Sequence, residues 1–78
     1  MSSTQSQRDY LSKLDPALLQ RAAFHIDDRY RKVLSQRLIR KEPKTLLQLS
    51  AELEISKERV RQIQGAAFEK VKREVESG

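Results

Sequence analysis

Apolar residues recur three and four positions apart along most of this chain, which is the spacing of helix faces and not the alternation of strands. The clearest stripe is Tyr30, Val33, Leu34, Leu38 and Ile39. It predicts a helix that starts at the capping aspartates Asp27-Asp28 and runs to about Arg40. Lys41-Glu42-Pro43-Lys44 ends it, because the residue before a proline avoids helical geometry. Thr45 then caps a short helix with Leu46, Leu49, Ser50 and Leu53 on its inner face. After Glu54-Ile55, Ser56 caps a longer helix that turns Val60, Ile63, Ala67, Phe68 and Val71 inward and frays by Ser77-Gly78. Gly65 within it costs on the order of 1 kcal/mol relative to alanine, which points to close packing or to a helix with stability to spare. Upstream, Asp15-Pro16 is a strong start signal for a helix through His25, with Leu18, Leu19, Ala22 and Ala23 at helical spacing. Tyr10, Leu11 and Leu14 supply one further helical turn before it. Residues 1–8 are polar and are expected to form a disordered tail, followed by a single helical domain over 9–76.

Composition narrows the class to an all-α bundle of four or five helices. The chain has 37% hydrophobic residues but only 5% aromatic, so its core is built from Leu, Ile, Val and Ala. Two glycines and two prolines are too few to punctuate an all-β chain of 78 residues. With no cysteine, packing alone must hold the fold. The formal charge of +5 favours a polyanionic partner. Apolar runs are too short to span a membrane, and the polar N-terminus lacks the apolar core of a secretion signal, so a cytoplasmic protein is expected. His25 has no ligand or nucleophile pattern around it and reads as a helix-end residue. No metal spacing, phosphate-cradling loop or carboxylate pair is evident, so neither an enzyme nor a cofactor is expected.

The stretch most informative about function is 45–75. Two helices of unequal length joined by a tight turn, the second rich in long polar side chains near its start, have the layout of a helix-turn-helix. Ser50 is small where the helices cross, and Ile55 plugs the turn. With Val60 and Ile63 anchored inward, Lys57, Glu58, Arg61 and Gln62 are left pointing outward. Lysine and arginine donate to guanine, glutamate accepts from the cytosine amino group, and glutamine pairs with adenine. The helix start also offers free backbone N–H groups to phosphate.

The run Thr45-Leu46-Leu47-Gln48-Leu49-Ser50-Ala51-Glu52-Leu53-Glu54-Ile55-Ser56-Lys57-Glu58-Arg59-Val60-Arg61-Gln62-Ile63-Gln64 resembles region 4 of bacterial RNA polymerase sigma factors. Arg29-Tyr30-Arg31-Lys32-Val33-Leu34-Ser35-Gln36-Arg37 resembles the helix before that family's helix-turn-helix. Ser56-Lys57-Glu58-Arg59-Val60-Arg61-Gln62 and the ending Ala67-Phe68-Glu69-Lys70-Val71 look most like the heat-shock branch. The resemblance implies a strand-free, winged-helix-like fold that reads the −35 element of double-stranded promoter DNA and docks on the β flap of RNA polymerase core. At matching positions Lys57, Glu58 and Gln62 would face base edges. Thr45, Ser56, Arg59 and Arg61 would hold the DNA backbone or support the base contacts. Val33, Leu34 and Leu38 would cradle the flap. Such a module is expected to be a monomer when isolated, nucleoid-associated through polymerase, and open to an anti-sigma factor as a further partner.

This chain departs from the family in four places. The family commonly has glycine or alanine at Ser50, and glycine, aspartate or asparagine at Glu54. Arginine is frequent at Lys57, and lysine lacks its bidentate geometry on guanine. Leu47 replaces a residue that is usually polar and offers a contact for a protein partner. The alternative function is a stand-alone region 4-like regulator that acts by protein contact with polymerase or with a sigma or anti-sigma partner. A dimeric repressor would need an exposed apolar stripe, and Tyr10, Leu11 and Leu14 supply only a short one. A membrane-surface helix would need the apolar residues that the core already uses.

Overall fold

The computed structural model describes residues 3–77. The helices are α1 (Ser3–Ser12), α2 (Pro16–Phe24), α3 (Asp28–Leu34), α4 (Leu46–Leu53) and α5 (Lys57–Ser77), with a π-helical turn, Ser35–Ile39, continuing α3. No strand occurs among the described residues, and the all-α expectation holds.

Local chemistry sets the helix ends. Asp15 accepts a hydrogen bond from the Ala17 backbone N–H at 2.8 Å, and Pro16 opens α2 as its sequence predicts. Asp27 occupies the N-cap of α3 without a side-chain cap bond, and Asp28 pairs with Arg31 instead, so these two act through charge at the helix start. Thr45 and Gln48 form a reciprocal capping box. The Thr45 hydroxyl accepts from Gln48 N–H at 3.0 Å, and the Gln48 side-chain oxygen accepts from Thr45 N–H at 2.9 Å.

The core has two lobes along α5. Toward its start, Val60 and Ile63 pack with Val33 and Leu49. Farther along, Ala67, Phe68 and Val71 pack with Leu11, Ala22, Ile26, Leu34 and Leu38. Neighbouring residues of α3, Val33 and Leu34, thus serve different lobes, and Tyr30 packs against both. Gly65 is not a close-packing site, because a Cβ placed there would meet nothing within 4 Å.

The N-terminal reading needs correction. Met1 and Ser2 lie outside the described residues, but from Ser3 the expected tail is helix α1, which packs across the π-turn. Apolar burial through Leu11 holds one end of this helix. Hydrogen bonds hold the rest, and a hydrophobic pattern does not reveal them. Arg8 donates to the carbonyls of Arg37 at 3.2 Å and Arg40 at 3.1 Å, groups left open where the helix ends. Gln64 of α5 is only 4% exposed and donates to Thr4 Oγ1 and Gln7 Oε1, both at 3.0 Å. Its side-chain oxygen accepts from Arg37 Nε at 2.9 Å, and Arg37 also donates to the Lys44 carbonyl at 2.9 Å. Burial, and then the neighbouring Arg8 charge, push the Arg37 guanidinium below its ordinary pKa.

The π-turn is a second difference from the uniform helix expected through Arg40. Arg40 N–H reaches back to the Ser35 carbonyl at 2.8 Å, closing one wide turn. Leu38 stays in the core while Ile39 is 43% exposed.

Candidate nucleic-acid interface

The turn between α4 and α5 fixes the angle at which α5 is presented. Glu54 adopts the left-handed conformation (φ 57°, ψ 43°), the only non-glycine positive φ among the described residues. Ile55 N–H then reaches the Ser50 carbonyl at 3.1 Å, which closes a Schellman-type cap, and the Ile55 side chain packs against the lobe containing Leu49. The Ser50 hydroxyl donates to the Ile55 carbonyl at 2.6 Å, a clasp that glycine or alanine could not make. A second tie spans α3 and α4. Glu52 bonds Lys44 at 2.7 Å and lies 3.5 Å from Lys32, and the Lys44 hydrogen bond holds the Glu52 carboxyl below the usual carboxylate range.

Left-handed geometry costs a β-substituted residue about 1–2 kcal/mol, less for asparagine. Glu54→Asn is therefore expected to raise stability by up to about 1 kcal/mol, read as a higher melting temperature. It also removes a carboxylate from the turn before α5, so any affinity for a DNA duplex should rise with it. A melting temperature that falls would show that the turn does not need this conformation.

Ser56 caps α5 by accepting from Arg59 N–H at 3.0 Å. In the first turns Val60 and Ile63 are fully buried, whereas Lys57, Glu58, Arg59, Arg61 and Gln62 are exposed. All three expected base-reading residues therefore stand on one accessible face. Lys57 has no carboxylate or hydrogen-bond partner among the described residues. Glu58 is engaged by Arg61, whose Nε donates to Glu58 Oε2 at 3.0 Å and whose Nη2 donates to Oε1. That bonding holds the Glu58 carboxyl low and the Arg61 guanidinium high. Thr45 and Ser56 each accept one cap hydrogen bond through the hydroxyl oxygen, and each hydroxyl proton stays available to a phosphate.

The family model described as "Sigma-70, region 4" matches residues 24–73, from the end of α2 to near the end of α5. The chain belongs to the sigma-70 region 4 family. RNA polymerase sigma factor RpoH of Caulobacter vibrioides is 39% identical over 70 residues, 90% of this chain and 24% of the relative. RNA polymerase sigma factor RpoH of Rhizobium radiobacter is 44% identical over 59 residues, 76% of this chain and 20% of the relative. The chain thus spans about a quarter or less of the length of these relatives, and it falls with the heat-shock branch that its α5 residues resemble. No solved structure matches it at a comparable level. This region 4 domain is a DNA-binding transcription domain.

The structure separates two surfaces that the sequence reading merged. Val33 and Leu34 are fully buried and Leu38 is 3% exposed, so the residues expected to cradle a partner are core residues. Their periodicity is identical for either role. Leu38 alone borders open space. It lies in the floor of an open groove of about 370 Å³ between α1, α2 and the π-turn, with Leu11, Leu14, Leu19 and Ile39. Arg8 and Asp9 stand on its rim. The capping box was legible beforehand, since Thr45-Leu46-Leu47-Gln48 carries its signature. Among the described residues no helix is long and apolar enough to cross a membrane.

Proposed function

We propose that this region 4 domain reads the −35 element of promoter DNA in the major groove while docked on the RNA polymerase β flap, and so helps direct transcription initiation. The observation that carries the reading is the face of α5: Lys57, Glu58, Arg61 and Gln62 stand exposed on a helix whose opposite side, Val60 and Ile63, is locked in the core. Base-reading side chains on a rigid support lose little freedom on binding, and the Ser50 and Glu54 turn supplies that support. Lys57, Glu58 and Gln62 supply a donor, an acceptor and an amide to base edges. Arg59, Thr45 and Ser56 hold the phosphates beside them. Flap docking is assigned to the groove of Leu11, Leu14, Leu19, Leu38 and Ile39, an apolar floor that leaves the DNA face free. The family match and the RpoH relatives support the same reading.

The test is selection from randomised duplexes at low salt followed by footprinting. The chain is expected to recover one preferred element. Gln62→Ala should relax discrimination at one base pair by roughly 1–3 kcal/mol and leave the salt dependence nearly unchanged. Binding without preference among duplexes would exclude promoter reading. Capture on the isolated β flap would then favour a regulator that works by protein contact.

A further inference from the structure

We infer that α1 is a displaceable strap, seated on the face of the π-turn where the polymerase flap docks, and that docking requires α1 to swing away. The inference rests on the flap-docking proposal and deepens it by naming what regulates that site.

Little in α1 itself keeps it helical. Ten residues are too few for an isolated helix to persist in water. Its first turn carries no acid and its last turn no base, so it gains nothing from the helix dipole. Leu11 is its one buried apolar side chain among the described residues, with Tyr10 half-buried beside it. The other ties are polar. Gln64 donates to Thr4 and Gln7, and Arg8 donates to the carbonyls of Arg37 and Arg40. Once α1 lifts, water reaches all of these groups and replaces the bonds. Helix α2 does not need α1, because Asp15 caps it and Pro16 opens it. The hinge is Lys13-Leu14, whose N–H groups close α1 on the carbonyls of Tyr10 and Leu11 at 3.3 and 3.2 Å.

What α1 covers continues the docking groove. Leu11 and Leu38 belong to one apolar cluster, and the groove beside them runs on to Leu19 and Ile39. With α1 in place Leu38 is 3% exposed, so a docked segment reaches only its edge. With α1 lifted, Leu38 and the Arg37 and Arg40 carbonyls join the site. Arg8 and Leu11 stand three residues apart, one above the other on the same helix face. They set out the chemistry that a replacement must bring: an amphipathic helix with a cationic donor one turn before a leucine-sized side chain. Apparent affinity for the flap then scales with the fraction of chains whose strap is open.

The experiment is hydrogen exchange on the full chain, alone and saturated with the isolated β flap, together with capture affinities for variants. In the free chain, α1 amides should exchange roughly tenfold or more faster than those of α5 around Ile63 and Phe68. On the flap they should lose protection further. Gln64→Leu and the milder Thr4→Val remove strap bonds and lie outside the groove lining. They should tighten capture by roughly tenfold and threefold. Ser6→Ala, at an exposed position also outside that lining, strengthens the helix and should weaken capture about twofold. Melting curves check that each variant folds. Affinity thus rises as stability falls, which a merely structural α1 would not produce. Protection gained by α1 on the flap would make it a wall of the dock and overturn the inference while flap docking stood. Equal exchange of α1 and α5 in the free chain, or capture that weakens as α1 loosens, would do the same. No capture by any of these chains would sink the docking proposal and the inference with it.

Discussion

A Leu34→Asp chain is expected to be unfolded at room temperature, with no cooperative thermal transition. Leu34 has no exposed surface and lies in the lobe that joins α1, α2 and α5. Deleting its side chain costs about 2–5 kcal/mol, and a carboxylate buried without a partner adds several more. A short domain has stability near the low end of about 5–15 kcal/mol, so the sum exceeds it. Circular dichroism and a thermal melt read the result directly. A folded variant with an ordinary melting temperature would place Leu34 outside the core. The contrast is Ile39, 43% exposed beside the groove. Ile39→Asp should melt much as the unaltered chain does and lose capture by the isolated polymerase β flap. Undiminished capture would remove the groove from consideration as the docking site.

Gln64→Leu should destabilise the domain by about 2 kcal/mol, and the loss should centre on α1. The substitution keeps the volume but removes three hydrogen bonds: one accepted from Arg37 and two donated to Thr4 and Gln7. Arg37 has its charge partly desolvated, and an unmade bond to such a group costs about 1–3 kcal/mol. Hydrogen exchange is the discriminating measurement. Amides of α1 should lose protection while those of α4 and the start of α5, packed in the other lobe, change little. Uniform loss of protection would mean that α1 and the rest of the domain open together.

Helices α2 to α5 and the caps at Asp15, Thr45 and Ser56 were legible in the sequence because each rests on a local signal. Asp15-Pro16, Thr45 and Ser56 act on backbone groups two or three residues away, and their positions in the structure match the reading. The exposed face of α5 was legible for the same reason, since Val60 and Ile63 fix which way Lys57, Glu58 and Gln62 turn. The attachment of α1 was not. It depends on Thr4, Gln7, Arg8, Arg37 and Gln64, polar residues brought together across as many as 60 positions, and nothing in a polar residue's sequence neighbourhood says that it is buried. The partner-cradle assignment failed at Val33 and Leu34 because an inward stripe and a docking stripe share one spacing. The Glu58–Arg61 bond could be anticipated from i, i+3 spacing, but its side-on geometry, which leaves the end-on edge open, belongs to the structure.

The division of labour along α5 has a consequence for synthesis. Both lobes are completed by this last helix, the first by Val60 and Ile63 and the second by Ala67, Phe68 and Val71. A nascent chain released only as far as α4 has the apolar faces of α1, α2 and α3 without the helix that covers them. Folding on the ribosome therefore waits for residues near Val71 to clear the exit tunnel, and until then these faces are open to chaperones and to aggregation.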